Sequence, residues 1–124
     1  MQVSKRRLNK NIEKQIFDIF YQMVADTKNR EEVETILVDL FTETEMQVMT
    51  KRLAIAIFLD KGRSYENIRN TLKVSSATIA SVGEIMGSAG MELALQKVKA
   101  EEWADEWAEK ISGWVGKVLP VKKS

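Results

Sequence analysis

The chain has 124 residues, enough for one domain with its own core, and it contains neither Cys nor His. This excludes disulfides and thiolate or imidazole metal sites, and no pattern places a nucleophile beside a base, so we expect no cofactor, no metal site and no catalysis. The 19 Lys and Arg residues against 18 Asp and Glu residues give a net charge of +1, so any binding of nucleic acid must depend on a local surface.

The chain begins with a basic arm, residues 1–10, which leads into charged residues instead of an apolar run and so differs from a secretory signal. The longest uncharged apolar stretch, residues 53–59, is far shorter than the roughly 20 residues that a membrane span requires. We therefore expect a cytoplasmic protein that does not bind membranes.

Apolar residues then recur every three or four positions, which is the spacing of one helix face, and the sequence shows no strand pattern. This spacing marks a first helix from residue 12 that ends near residues 26–29, and a second that starts at residue 30 or 31 and reaches residue 41, each with an apolar face suited to a core. Thr42 and Glu45 form a capping-box pattern that predicts the start of a third helix, which Gly62 should end. The predicted fold class is all-α.

Two short helices follow, joined by a tight turn. Ser64 is the predicted N-cap of the first, and Ser75 is the predicted N-cap of the second, which extends to Met86. Ile79 and Val82 should face inward, because they lie three residues apart with Met86 seven residues after Ile79. The outward face then consists of Ser76, Ala77, Ala80, Ser81 and Glu84. These helices predict a helix-turn-helix at residues 64–86, within a helical domain over residues 11–90.

A helix-turn-helix can insert its second helix into the major groove of DNA, and small outward residues permit close approach. Ser and Thr hydroxyls can bind base edges or phosphates, alanine methyls can contact thymine methyls, and residues 61–85 carry a surplus of two positive charges. The candidate DNA-binding residues are Arg63, Ser64, Arg69, Lys73, Ser75, Ser76, Ala77, Thr78 and Ala80. The same spacing also suits a plain packing motif, which leaves open a protein-protein interaction module that keeps the fold without binding DNA.

Four segments carry a family resemblance: FTETE at 41–45, KR at 51–52, GRSYENI at 62–68 and VSSATI at 74–79. Over about residues 12–86 the chain resembles the Trp repressor-like family of small helical regulators. The resemblance implies a six-helix fold, a homodimer intertwined through its N-terminal helices, and a helix-turn-helix that binds double-stranded DNA at a palindromic operator. It also implies that Ser76, Ala77 and Ala80 face bases and that Arg69 contacts DNA from the preceding helix.

The resemblance further implies where an effector would bind. In the Trp repressor, free tryptophan lies between an Arg of the central helix and an Arg of the recognition helix that is followed by Gly. Arg52 matches the first Arg, but Ser81 and Val82 occupy the other two positions, so a carboxylate ligand would lose a charge-assisted partner. Arg52 and Ser81 are the candidate effector-binding residues, but we favour a structural ion pair for Arg52 and a transcriptional regulator that does not respond to tryptophan.

After a predicted break at residues 87–90, residues 91–119 are predicted to form an amphipathic helical region, and residues 120–124 form a basic tail. Trp103, Trp107 and Trp114 are spaced by four and seven residues and form a stripe opposite an acidic face. We favour packing of this stripe on the domain's own core or across a dimer, and docking of a protein partner is the alternative. The acidic face disfavours contact with DNA or anionic lipid.

Overall fold

The computed structural model describes residues 6–100 and residue 110, and this part of the chain contains six helices and no strand. The helices are α1 (Lys10–Ala25), α2 (Arg30–Leu40), α3 (Glu43–Asp60), α4 (Tyr65–Leu72), α5 (Ser76–Glu84) and α6 (Ala89–Ala100). The predicted all-α class is confirmed. No helix among the described residues is long and apolar enough to cross a membrane.

Side-chain caps fix the starts of the first three helices. The side chain of Asn9 accepts from the N–H of Asn11 at 2.8 Å, so α1 begins at Lys10, two residues before the predicted start. The side chain of Asn29 accepts from the N–H of Glu32 at 2.9 Å and caps α2. Both amide side chains satisfy helix N–H groups that have no partner within the helix.

The predicted capping box at the start of α3 is present. The Thr42 Oγ1 atom accepts from the N–H of Glu45 at 3.1 Å, and Glu45 Oε1 accepts from the N–H of Thr42 at 2.8 Å. Hydrogen bonds from the Thr42 backbone and side chain hold the pKa of Glu45 below its ordinary value, because they favour the ionised carboxylate. The charged form of Glu45 therefore supports the start of α3.

The chain divides into two compact units after Met46, and the first contains α1 and α2. Phe20 and Phe41 meet edge to face there, with ring centroids 6.3 Å apart. Neither helix has a buried residue, although the sequence predicts that both have an apolar face suited to a core. On α1, Ile12, Ile16 and Ile19 are 49%, 52% and 68% exposed. Within residues 6–100 and 110, these apolar side chains of α1 therefore stay exposed.

The second unit has a core built from four helices. The second half of α3 supplies the completely buried Ile55 and Phe58, α4 supplies Ile68, and α5 supplies Ile79 and Val82. Gly62 ends the turn after α3 with φ +79°, the left-handed conformation that glycine adopts most easily, as predicted for this position. The core therefore lies against the buried sides of α4 and α5.

The sixth helix also belongs to this core, which therefore extends beyond residue 90. α6 begins at Ala89 and includes Gly90, so the predicted break at residues 87–90 is shorter than the sequence suggests. Leu95 is buried with Phe58 and its neighbours, while Met91 and Val98 pack against them. The predicted tryptophan stripe at Trp103, Trp107 and Trp114, the tail at 120–124 and the first half of the basic arm lie outside the described residues.

Candidate nucleic-acid interface

The helices α4 and α5 form the predicted helix-turn-helix. Ser64 Oγ accepts from the N–H of Asn67 at 3.1 Å, and Ser75 Oγ accepts from the N–H of Thr78 at 3.1 Å. Both predicted N-caps are therefore confirmed. The second helix ends at Glu84 instead of the predicted Met86, which lies in the following turn and still packs against the core.

Lys73 makes the turn between these helices. Its backbone lies in the left-handed region, with φ 58° and ψ 53°, and its N–H donates to the carbonyl of Arg69 at 3.0 Å. Among the described residues it is the one non-glycine residue with a positive φ. The sequence predicted where α4 ends but gave no signal for this conformation, because Gly is the residue expected there.

Burial of one side of α5 determines which residues face outward. Ile79 and Val82 are completely buried against Ile68 of α4 and the α3 side chains behind it. The opposite side of α5 carries residues that are exposed, as their spacing predicts: Ser76, Ala77, Ala80, Ser81 and Glu84. The side chains of this outer face are small except for Glu84, whose carboxylate is its one charge, and small side chains permit close approach to a surface such as a DNA groove.

A side-chain hydrogen bond joins the two helices at the start of α5. Arg69 Nη1 on α4 donates to Ser76 Oγ, the first residue of α5, at 2.9 Å. Beside it, the hydroxyls of Ser75 and Thr78 lie 2.9 Å apart and share a hydrogen bond. Four of the candidate DNA-binding residues thus form one polar cluster, in which Arg69, Ser75 and Ser76 are exposed and Thr78 is half-buried. Sequence reasoning proposed each of them separately and missed the Arg69–Ser76 pair, which depends on how α4 packs against α5.

The remaining candidates lie around this cluster. The Arg63 guanidinium lies 5.8 Å from the centroid of the Phe58 ring, in the loop before α4, where it is half-buried. Ser64 and Lys73 are exposed at the two ends of α4, and Ala77 and Ala80 are exposed along α5. Their contact with DNA stays a prediction.

Sequence reasoning also did not predict a packing contact within the helix-turn-helix, between Tyr65 and Gly83. The Tyr65 hydroxyl lies beside Gly83 of α5, where an added Cβ would be 3.6 Å from it and 4.0 Å from a Leu59 methyl. This contact joins the start of α4 to the second half of α5. The signal was a glycine in the middle of a helix, which often marks close approach of a neighbouring element.

The two candidate effector-binding residues lie on different helices, and their binding of an effector stays a prediction. Arg52 is half-buried on α3, Ser81 is exposed on α5, and Val82 is completely buried in the core. The predicted ion pair of Arg52 is not found within residues 6–100 and 110. An ion pair within α3 is excluded, because the neighbours of Arg52 three and four positions away are all apolar: Val48, Met49, Ile55 and Ala56.

Comparison with known proteins identifies the family. A family model described as Trp repressor protein matches residues 15–98. The chain belongs to this family. It is also similar to an uncharacterized protein, YerC, of Bacillus subtilis (strain 168), with 32% identity over 87 residues that cover 68% of this chain and 84% of that protein. No solved structure gives a significant match.

The Trp repressor family match extends from α1 into α6 and so includes the whole helix-turn-helix. It confirms the family resemblance of the sequence, and it extends further toward the C terminus than the predicted end of the similarity near Met86. This agrees with the burial of Leu95 in the same core as Ile68 and Ile79.

Proposed function

We propose that this member of the Trp repressor family is a sequence-specific DNA-binding transcriptional regulator and not an enzyme. The observation that carries the proposal is the exposure of Ser76, Ala77 and Ala80 along a helix whose opposite side is completely buried. A helix that packs on the core with one side and exposes small side chains on the other fits the width of a major groove. Lys73 and Arg69 add positive charge beside this face.

We propose further that two copies bind double-stranded DNA as a homodimer. The apolar side chains of Ile12, Ile16 and Ile19 are exposed in a single chain, and such a surface on a helix is typical of a face that another subunit covers. A two-fold dimer presents two recognition helices to one side of the duplex. We therefore expect a palindromic operator whose half-sites are about one helical turn, or ~34 Å, apart.

We also propose that tryptophan does not regulate this binding. Ser81 offers a hydroxyl where the family resemblance implies a cation for the ligand's carboxylate, and the neighbouring Val82 side chain fills part of the core. Added free tryptophan should leave the affinity for DNA unchanged. An increase of affinity on adding tryptophan would contradict this part of the proposal.

The test is a selection of bound duplexes from random sequence, carried out at low and at moderate salt. We expect a palindromic sequence to be recovered and its binding to weaken steeply with salt. Ser76→Glu should abolish recovery while the protein stays folded, because a carboxylate at the start of α5 repels the phosphate backbone. Gln96→Glu, which adds the same charge on an exposed position of α6, should retain binding.

A protein-protein interaction module is the second candidate. The observation that favours it is the exposure of Glu66 on α4 and Glu84 on α5, which reduces the positive potential around the helix-turn-helix. This alternative predicts no affinity for DNA even at low salt. It also predicts that Trp107→Ala abolishes binding of a protein partner. The DNA-binding regulator, in contrast, is expected to bind DNA at low salt.

A further inference from the structure

We propose that Arg69 and Ser76 act as one unit that reads a guanine in the major groove, an inference that rests on the proposed DNA binding. The unit is defined by the 2.9 Å hydrogen bond from Arg69 Nη1 to Ser76 Oγ. Both residues are exposed, and Ser76 is the first residue of α5. The N-terminal residues of a recognition helix are the ones that contact base edges.

The direction of this hydrogen bond determines what the pair can recognise. A guanidinium carries five N–H donors and no acceptor, so Ser76 Oγ must be the acceptor. Four guanidinium donors and the Ser76 O–H then remain for a ligand, and the bond from Arg69 makes that hydroxyl a better donor. The pair therefore presents donors almost exclusively.

Guanine is the base whose major-groove edge matches this set of donors. It presents two acceptors, N7 and O6, side by side, whereas adenine and cytosine each present an amino donor, and thymine presents one acceptor and a methyl group. A guanidinium fork can bind both guanine acceptors in one plane. Among the described residues no carboxylate lies within ion-pair distance of Arg69, so none of them neutralises its charge.

In this account Ser76 is a positioning residue. Its hydroxyl accepts a hydrogen bond from Arg69 and restricts the Arg69 side chain to a rotamer that points to the first turn of α5. Less conformational entropy of Arg69 is then lost when its guanidinium binds a base. A phosphate would also accept from Arg69, but a phosphate contact carries no sequence preference. The two ligands can therefore be distinguished by whether losing the fork changes sequence preference or only affinity.

The experiment compares the DNA sequences selected by the full-length wild type, Arg69→Lys and Ser76→Ala. We expect the wild type to select guanine at one position of each half-site. Arg69→Lys keeps the charge but loses the fork, so the preference for guanine there should fall by roughly 5- to 150-fold. Ser76→Ala should lower the same preference by a smaller factor, and Arg30→Lys, at the start of α2, should change neither preference nor affinity.

A change in the DNA gives the decisive comparison. Replacing the selected guanine by 7-deazaguanine removes the N7 acceptor, and it should weaken binding of the wild type but have little further effect on Arg69→Lys. An equal effect on both proteins would overturn the proposal, as would a loss in Arg69→Lys that is the same for every sequence, which indicates a phosphate contact. Failure of the wild type to bind any duplex would instead refute the proposed DNA binding itself.

Discussion

The Lys73 backbone is left-handed at the turn between α4 and α5, and its side chain is exposed beside the candidate interface. A residue with a Cβ adopts this conformation at a cost of about 1 kcal/mol relative to glycine, part of which is offset by the greater freedom of glycine in the unfolded chain. Lys73 therefore combines a conformation that lowers stability with a charge suited to binding phosphate.

Lys73→Gly should have opposite effects on stability and on binding. We expect the free energy of unfolding, measured with denaturant, to rise by about 0.5 kcal/mol because the turn no longer requires a strained residue. The affinity for DNA should fall for all sequences alike, and the slope of its salt dependence should decrease by about one for each subunit. A variant that is less stable but binds DNA as well as the wild type would show that Lys73 is a structural residue.

The elements of the fold differ in how far the sequence predicts them. The starts of α3, α4 and α5 follow from local patterns, because Thr42, Ser64 and Ser75 each bond to an N–H three residues ahead. α6 begins earlier than the sequence predicts, because Gly90 lies within the helix instead of breaking the chain. The Arg69–Ser76 bond could not be predicted, since it depends on the packing of α4 against α5 and not on sequence spacing.

The capping box at the start of α3 should make stability depend on pH. The pKa of Glu45 is lowered in the folded protein, so its ionised form adds stability above the ordinary glutamate pKa of about 4.3, and this is lost as the pH falls through the folded-state value. Unfolding of the wild type and Glu45→Gln should therefore differ at neutral pH and converge in acid. A difference that is constant with pH would mean that the charge of Glu45 contributes nothing.

The contribution of α6 to the core can be measured by a pair of substitutions on the same helix. Leu95 is 8% exposed and packs with the core, whereas Leu93 is 53% exposed. Leu95→Ala should lower the free energy of unfolding by about 2–3 kcal/mol, while Leu93→Ala should change it by less than about 0.5 kcal/mol. Equal effects of the two substitutions in thermal or denaturant unfolding would contradict the packing of α6 on this core.

The apolar face of α1 gives the prediction for the whole molecule. If a second copy covers Ile12, Ile16 and Ile19, then Ile16→Glu buries a charge in the dimer and should produce a monomer or a strongly destabilised protein. Lys14→Gln lies on the same helix, where Lys14 is highly exposed and pairs with Asp18, and it should leave the dimer intact. Sedimentation of the wild type at twice the chain mass is expected, and a monomeric wild type would contradict the proposed dimer.

Binding to DNA through the helix-turn-helix is the central claim, and its most direct test is the equilibrium affinity for the selected duplex and for a scrambled duplex at two salt concentrations. The wild type should bind the selected duplex more tightly at both. With about six phosphate contacts per dimer, its affinity should fall by roughly 1,000-fold between about 50 and 200 mM salt. Equal affinity for both duplexes, or no binding to either at low salt, would contradict the claim.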